Sequence, residues 1–383
     1  MGKELFEAGE ALRELADTHY DVIVIGGGQA GLSVGHHLAR RGLRFVILES
    51  NDRVGDSWRK RWDSLTLFTP ARFDALPGLP FPGDPASFPS KDAMADYLEQ
   101  YARHFRLPVR TGARVSRLSM QGSGYRVELE REVLEADQVV IAMAGYQQPR
   151  VPALAAELDD SVVQMHSSEY RSPAQLAPGS VLVVGAGNSG AEIALELARA
   201  GFATTLAGRD VGQLPFRVGG LWGRLLLVRL VLRVIFHRIV TVRTPIGRAM
   251  RPTVLRHSGP LIRTKWADLE AVGVVRAPRV SGVRDGLPLL EDGSRGNADN
   301  VIWCTGYDAG FSWVDLPIFD EDGRPEHESG VATRAPGLYF VGLTFLHSLS
   351  SSMVHGVGRD AARVVSKVGA RARAHHSGLQ ASA

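Results

Sequence analysis

A single cysteine, Cys304, stands in 383 residues. With one thiol there is no intramolecular disulfide, no CxxC redox pair and no thiolate zinc cluster, and no metal site is expected. That usage fits a reducing compartment. No apolar run of about 18 residues occurs, which argues against a membrane-spanning helix. Met1 to Tyr20 holds Lys3, Glu4, Glu7, Glu10 and Glu14. It has neither the apolar centre of a secretory leader nor the Ser or Thr at position six of a myristoylation signal, so the expectation is a cytoplasmic protein. Acid is missing from one stretch. Val211 to Ala267 carries eleven basic residues, from Arg217 to Lys265, and no Asp or Glu, although the whole chain has 44 basic against 41 acidic residues. This predicts a local positive surface rather than a nucleic-acid-binding chain, and an anionic or carrier-bound substrate would be drawn to it.

Glycine is plentiful, at 42 residues, well above the roughly 7% of ordinary globular chains. At roughly 150 residues per domain the length suggests two lobes. The most informative stretch is Asp21-Val-Ile-Val-Ile-Gly26-Gly-Gly28-Gln29-Ala30-Gly31, continuing to Gly42 and then to Leu43-Arg-Phe-Val-Ile-Leu-Glu49. It reads as strand, glycine turn, helix and strand. The glycines let backbone approach a pyrophosphate, the helix start meets its charge, and Glu49, 18 residues after Gly31, is placed to accept from ribose hydroxyls.

A second unit runs Ser180-Val-Leu-Val-Val-Gly185-Ala-Gly187-Asn188-Ser189-Gly190 to Gly201, then Phe202 to Gly208 and Arg209. Its second strand ends in arginine where the first ends in glutamate. A guanidinium binds a 2′-phosphate that an acid repels, so FAD is expected at the first unit and NADPH at the second. An ordinary surface arginine is the alternative reading of Arg209.

With these units in place, the chain from roughly Asp21 to Val368 resembles the class B flavin-containing monooxygenases, including plant YUCCA-type and bacterial relatives. Further matches are Val54-Gly-Asp-Ser-Trp58, Leu67-Phe-Thr-Pro70, Phe88-Pro-Ser-Lys91, Met143-Ala-Gly-Tyr146 and Cys304-Thr-Gly-Tyr307. The resemblance implies an α/β fold of two Rossmann-like dinucleotide-binding domains, the NADPH domain (151–297) inserted in a discontinuous FAD domain (21–150 and 298–368). An N-terminal extension (1–20) and a flexible tail (369–383) complete the expected division. It also implies an NADPH-dependent enzyme that puts one oxygen atom of O2 into a small organic substrate through a C4a-(hydro)peroxyflavin.

The family fingerprint FxGxxxHxxxY keeps His166 and Tyr170 here, with Asp160 and Val162 at the Phe and Gly positions. Two alternatives therefore stand beside oxygenation: an NADPH-dependent flavin oxidase or reductase, and a non-catalytic redox sensor. The single cysteine argues against a disulfide reductase.

The expected FAD contacts are Gly26, Gly28, Gln29, Ala30, Gly31, Glu49 and Trp58. Those for NADPH are Gly185, Gly187, Asn188, Ser189, Gly190 and Arg209. His166 and Tyr170 are placed at the domain junction, with a structural His and Tyr as the plain alternative. No asparagine occurs between Trp62 and Thr69, so Asn188 is the candidate active-site amide. His347 and His355 are candidate proton donors, weighed against polar surface. Ser350, Ser351 and Ser352 are expected to cap the last helix. The basic strip reads as a lobe helix with snorkelling arginines or as a membrane-surface or acidic-partner site. A homo-oligomer is left open.

Overall fold

The computed structural model describes residues 18–218, 220, 228–256 and 259–381. The apolar run before the first glycine turn forms β1 (His19–Ile25), the turn opens helix α1 (Gln29–Ala39), and the chain returns as β2 (Phe45–Leu48). β1 and β2 are parallel, Val22 opposite Phe45 and Ile25 opposite Leu48. All of β2 is buried, as in a parallel strand covered on both faces. Helix α2 (Lys91–His104) starts at Ser90, whose Oγ accepts the Ala93 N–H at 3.2 Å. Its buried Met94, Leu98 and Tyr101 join the core beneath α1.

On the other side of β1 lies β3 (Val133–Ile141), also parallel, followed by the strand Leu338–Phe340. The sheet ends with the short pairs Val331–Ala332 and His327–Glu328 on one edge and Val109–Arg110 on the other. A hairpin of Val115–Gln121 and Gly124–Leu129 joins β3 antiparallel and brings the total to nine strands.

A second sheet of five strands is parallel throughout. Its order is Val275–Ala277, β6 (Ala203–Ala207), β5 (Ser180–Val184), β7 (Asn300–Trp303) and β4 (Val163–His166). Helix α3 (Asn188–Arg199) follows the second glycine turn, and α4 (Pro245–Arg256) lies in the basic stretch. The last helix, α5 (Val354–Ala381), buries Val357, Ala361, Val364, Val365 and Val368 in the core that holds α1.

Two boundaries differ from the sequence reading. β7, expected after residue 298 with the first lobe, is the inner strand of the second sheet, with Val301 opposite Leu182 and Gln164. All four β7 residues are buried, and β7 lies between β5 and β4. The tail expected to be flexible from 369 is instead a continuation of α5 to Ala381. Of the N-terminal extension, residues 1–17 lie outside the described residues, while His19 and Tyr20 already belong to β1.

Candidate active site

Each glycine turn is built by contacts that only glycine tolerates. Gly26 has φ +109°, and a Cβ on Gly31 would lie 1.8 Å from the Gly26 carbonyl oxygen, so helix and strand approach closer than any side chain allows. Gly28 begins α1 without a side-chain cap, and the space where its Cβ would stand is open for 4 Å. That combination leaves open space at the start of α1, the kind of helix terminus at which anions are bound. Ala30 is buried behind it.

Glu49 is almost fully buried. Its Oε2 accepts the Gly27 N–H at 2.8 Å, while Oε1 accepts the Asn51 N–H at 2.9 Å and Asn51 Nδ2 at 2.6 Å. Trp58, half-buried against the first core, donates Nε1–H to Gln29 Oε1 at 3.4 Å.

The second turn repeats the construction. Gly185 has φ +114°, a Cβ there would lie 2.3 Å from the Cys304 carbonyl oxygen, and one on Gly190 would lie 1.9 Å from that of Gly185. Gly187 begins α3, again without a side-chain cap, and Ser189 is exposed in its first turn. Arg209 is exposed and has no carboxylate partner among the described residues. The acid beside it, Asp210, accepts the Gly212 N–H at 2.8 Å and Arg276 Nη2 at 3.1 Å, contacts that hold its carboxyl below the usual range. Arg276 in turn stacks 3.7 Å over Trp266. The neighbouring acid is thus paired with Arg276 rather than with Arg209.

The matching family model, described as pyridine nucleotide-disulphide oxidoreductase, covers residues 23–215. An uncharacterized oxidoreductase CzcO-like of Geobacillus kaustophilus is 36% identical, over 91% of this chain and 98% of that one. The indole-3-pyruvate monooxygenase YUCCA1 of Oryza sativa subsp. japonica is 33% identical, over 84% of this chain and 86% of its own. A solved flavin-containing monooxygenase from Stenotrophomonas maltophilia superposes with a TM-score of 0.75 at 29% identity, covering 92% of this chain and 99% of the other. The chain belongs to the class B flavin-containing monooxygenases. It is a flavin-dependent enzyme, and flavin and nicotinamide cofactors go with that membership.

In this monooxygenase two short crossing segments, Gln148–Pro149 and Tyr307–Asp308, join the sheets and pair antiparallel. His166, at the end of β4, bonds through Nε2 to the Gly306 carbonyl at 3.0 Å, through Nδ1 to Ser168 Oγ at 2.9 Å, and packs edge-on against the Tyr307 ring. Its pKa is lowered mainly by burial. Arg61 Nη1 donates to Tyr307 Oη at 2.7 Å. Tyr170, fully buried, donates to Glu196 Oε2 at 2.9 Å in α3. His166 therefore touches the crossing itself, whereas Tyr170 braces the second lobe.

The structure redirects four expectations. Asn188 donates Nδ2–H to the Pro260 carbonyl at 3.0 Å and accepts the Ile262 N–H at 2.9 Å, so this amide is a strut to the 260–262 loop rather than an amide free for catalysis. His355 is pushed down to about 3 by burial, with His237, Arg233 and Arg359 adding to it, and His347 is lowered by burial and nearby arginines. Both shifts favour the neutral imidazole. Ser351 does not cap α5, because its Oγ accepts the His347 and Ser348 N–H groups, both at 3.0 Å, and closes the loop before the helix. Cys304 is raised to about 12 by burial and is an unreactive wall of the second turn.

Sequence reasoning missed Asp74. It is fully buried, one oxygen receives the Thr69 hydroxyl, the other has no partner among the described residues, and burial raises it to about 7. The Thr69-to-Asp74 spacing inside an apolar loop was its only trace.

Proposed function

We propose that this monooxygenase holds FAD in the first cradle and NADPH in the second, and puts one atom of O2 into a small organic substrate. The contrast between Glu49 and Arg209 carries the assignment. Glu49, fixed by Gly27 and Asn51, retains lone pairs for the two hydroxyls of a ribose. Arg209, exposed and with no carboxylate partner among the described residues, matches a ribose 2′-phosphate. The uncapped starts of α1 and α3 receive the diphosphates.

When bound, flavin and nicotinamide supply the hydride transfer and oxygen activation. The chain contributes orientation. Gln29 fixes the Trp58 indole beside the first cradle, and His166 and Arg61 hold the Tyr307 crossing so that the lobes keep one registry. No side-chain nucleophile is required. The cytoplasm is the proposed compartment, in keeping with a lone, protonated thiol.

Anaerobic titration of the purified flavoprotein tests this reading. NADPH should bleach the flavin band at least tenfold more effectively than NADH. A colourless protein that refuses added FAD, or equal response to both nucleotides, would overturn it.

A further inference from the structure

Part of the basic stretch forms a face that is exposed among the described residues. From residue 231 to Ile239 the chain winds as a wide helix, with Leu232 and His237 turned inward and Leu230, Arg233, Val234, Arg238 and Ile239 outward. Helix α4 then runs for 12 residues with only Gly247 buried. Nine large hydrophobic side chains are exposed among the described residues, and five of them, Leu230, Val234, Ile239, Ile246 and Met250, lie here, each 37–55% exposed.

Between them stand Arg233, Arg238, Arg243, Arg248 and Arg256, all exposed and none with a carboxylate partner among the described residues. The inner edge of this face is fastened to the first lobe: Val242 N–H donates to the His347 carbonyl at 2.9 Å and Leu349 N–H to the Val240 carbonyl at 3.0 Å.

We propose that this face docks on an anionic lipid surface. The absence of any acid from 211 to 267 favours an anionic partner, since guanidinium groups gain from phosphate and repel a basic surface. Interleaved aliphatic side chains select among anionic partners. They gain by entering the acyl boundary and gain nothing from a sugar-phosphate backbone, and among the described residues of this face no large exposed aromatic ring offers a base a stacking platform. No helix among the described residues is long and apolar enough to cross a membrane, so the contact lies in the interface plane. The proposal stands apart from the cofactor assignment.

Co-sedimentation of the full-length flavoprotein with phosphatidylcholine vesicles, with and without 25% phosphatidylglycerol, tests it. Binding should need the anionic lipid and weaken as salt is raised. The triple variant Arg238→Gln, Arg243→Gln, Arg248→Gln should bind roughly a hundredfold more weakly, at about 1 kcal/mol per basic residue. Ile246→Ser with Met250→Ser should weaken binding while keeping its salt dependence. Both variants should keep wild-type melting temperature and flavin content. No preference for the anionic vesicles would overturn the proposal. So would binding to duplex DNA or polyglutamate as tight as to vesicles, or vesicle binding indifferent to the Ile246 and Met250 changes.

Discussion

Glu49 accepts the Gly27 N–H at 2.8 Å across 22 residues of sequence, so the acid that follows β2 is pinned to the turn that follows β1. The turn and Glu49 are therefore one hydrogen-bonded unit. Glu49→Gln removes the charge from that unit. A hydrogen bond to a charged group is worth about 1.5–3 kcal/mol, so the dissociation constant for FAD, read by reconstitution of the apoprotein, should rise roughly ten- to a hundredfold. An unchanged constant would remove Glu49 from the flavin site.

The two inner glycines of the first turn should separate folding from binding. Gly31→Ala places a methyl 1.8 Å from the Gly26 oxygen, and overpacking of that kind costs about 1–3 kcal/mol or more. The melting temperature of the apoprotein should fall by several degrees. Gly28→Ala meets open space and should leave that temperature within roughly 1 °C while weakening FAD binding, because its methyl enters the diphosphate volume.

Arg209 and Arg276 make a paired prediction. Arg209→Glu should lower the ratio of kcat/KM for NADPH over NADH roughly ten- to a hundredfold, since a charge-assisted bond becomes a repulsion. Arg276→Ala should lower the same ratio by a smaller factor, because it releases Asp210 beside the phosphate site. A ratio untouched by both changes would return Arg209 to the class of ordinary surface arginines.

Stability should respond to pH from two directions. Asp74 is raised by burial from near 3.8 to about 7. Between those values the native state holds a proton that the unfolded state has lost, so stability falls as pH climbs through this window and the loss is complete above it. Asp74→Asn should therefore melt higher than wild type at pH 8, the gap closing toward pH 4. His237 and His355 are lowered to about 4 and about 3, chiefly by burial. Here the unfolded state binds protons that the native state refuses, so stability falls as pH drops below about 6.5. His355→Gln should flatten that acid limb in melting curves taken from pH 7 to 4.

What was legible in the sequence is what backbone geometry enforces locally. Both glycine turns, their flanking strands and the residues at 49 and 209 follow from spacing, because a close helix–strand approach admits no Cβ at Gly31 or Gly190. Long-range pairing was not legible. Asn188 finds its partners more than 70 residues away at Pro260 and Ile262. The apolar run of β7 fits either parallel sheet, and only register with Leu182 and Gln164 assigns it. The Arg- and His-bearing tail reads as solvated chain, yet α5, already anchored at Val364 and Val368, runs on through it to Ala381. The burial that shifts His355 has no local signature at all.

Oxygenation itself is tested most directly by mixing the NADPH-reduced protein with O2-saturated buffer in a stopped-flow spectrophotometer. The account predicts a near-ultraviolet absorbing species that persists before the oxidised flavin spectrum returns, and that decays faster when an oxidisable substrate is present. Immediate return to oxidised flavin, with stoichiometric hydrogen peroxide whatever substrate is added, would contradict it.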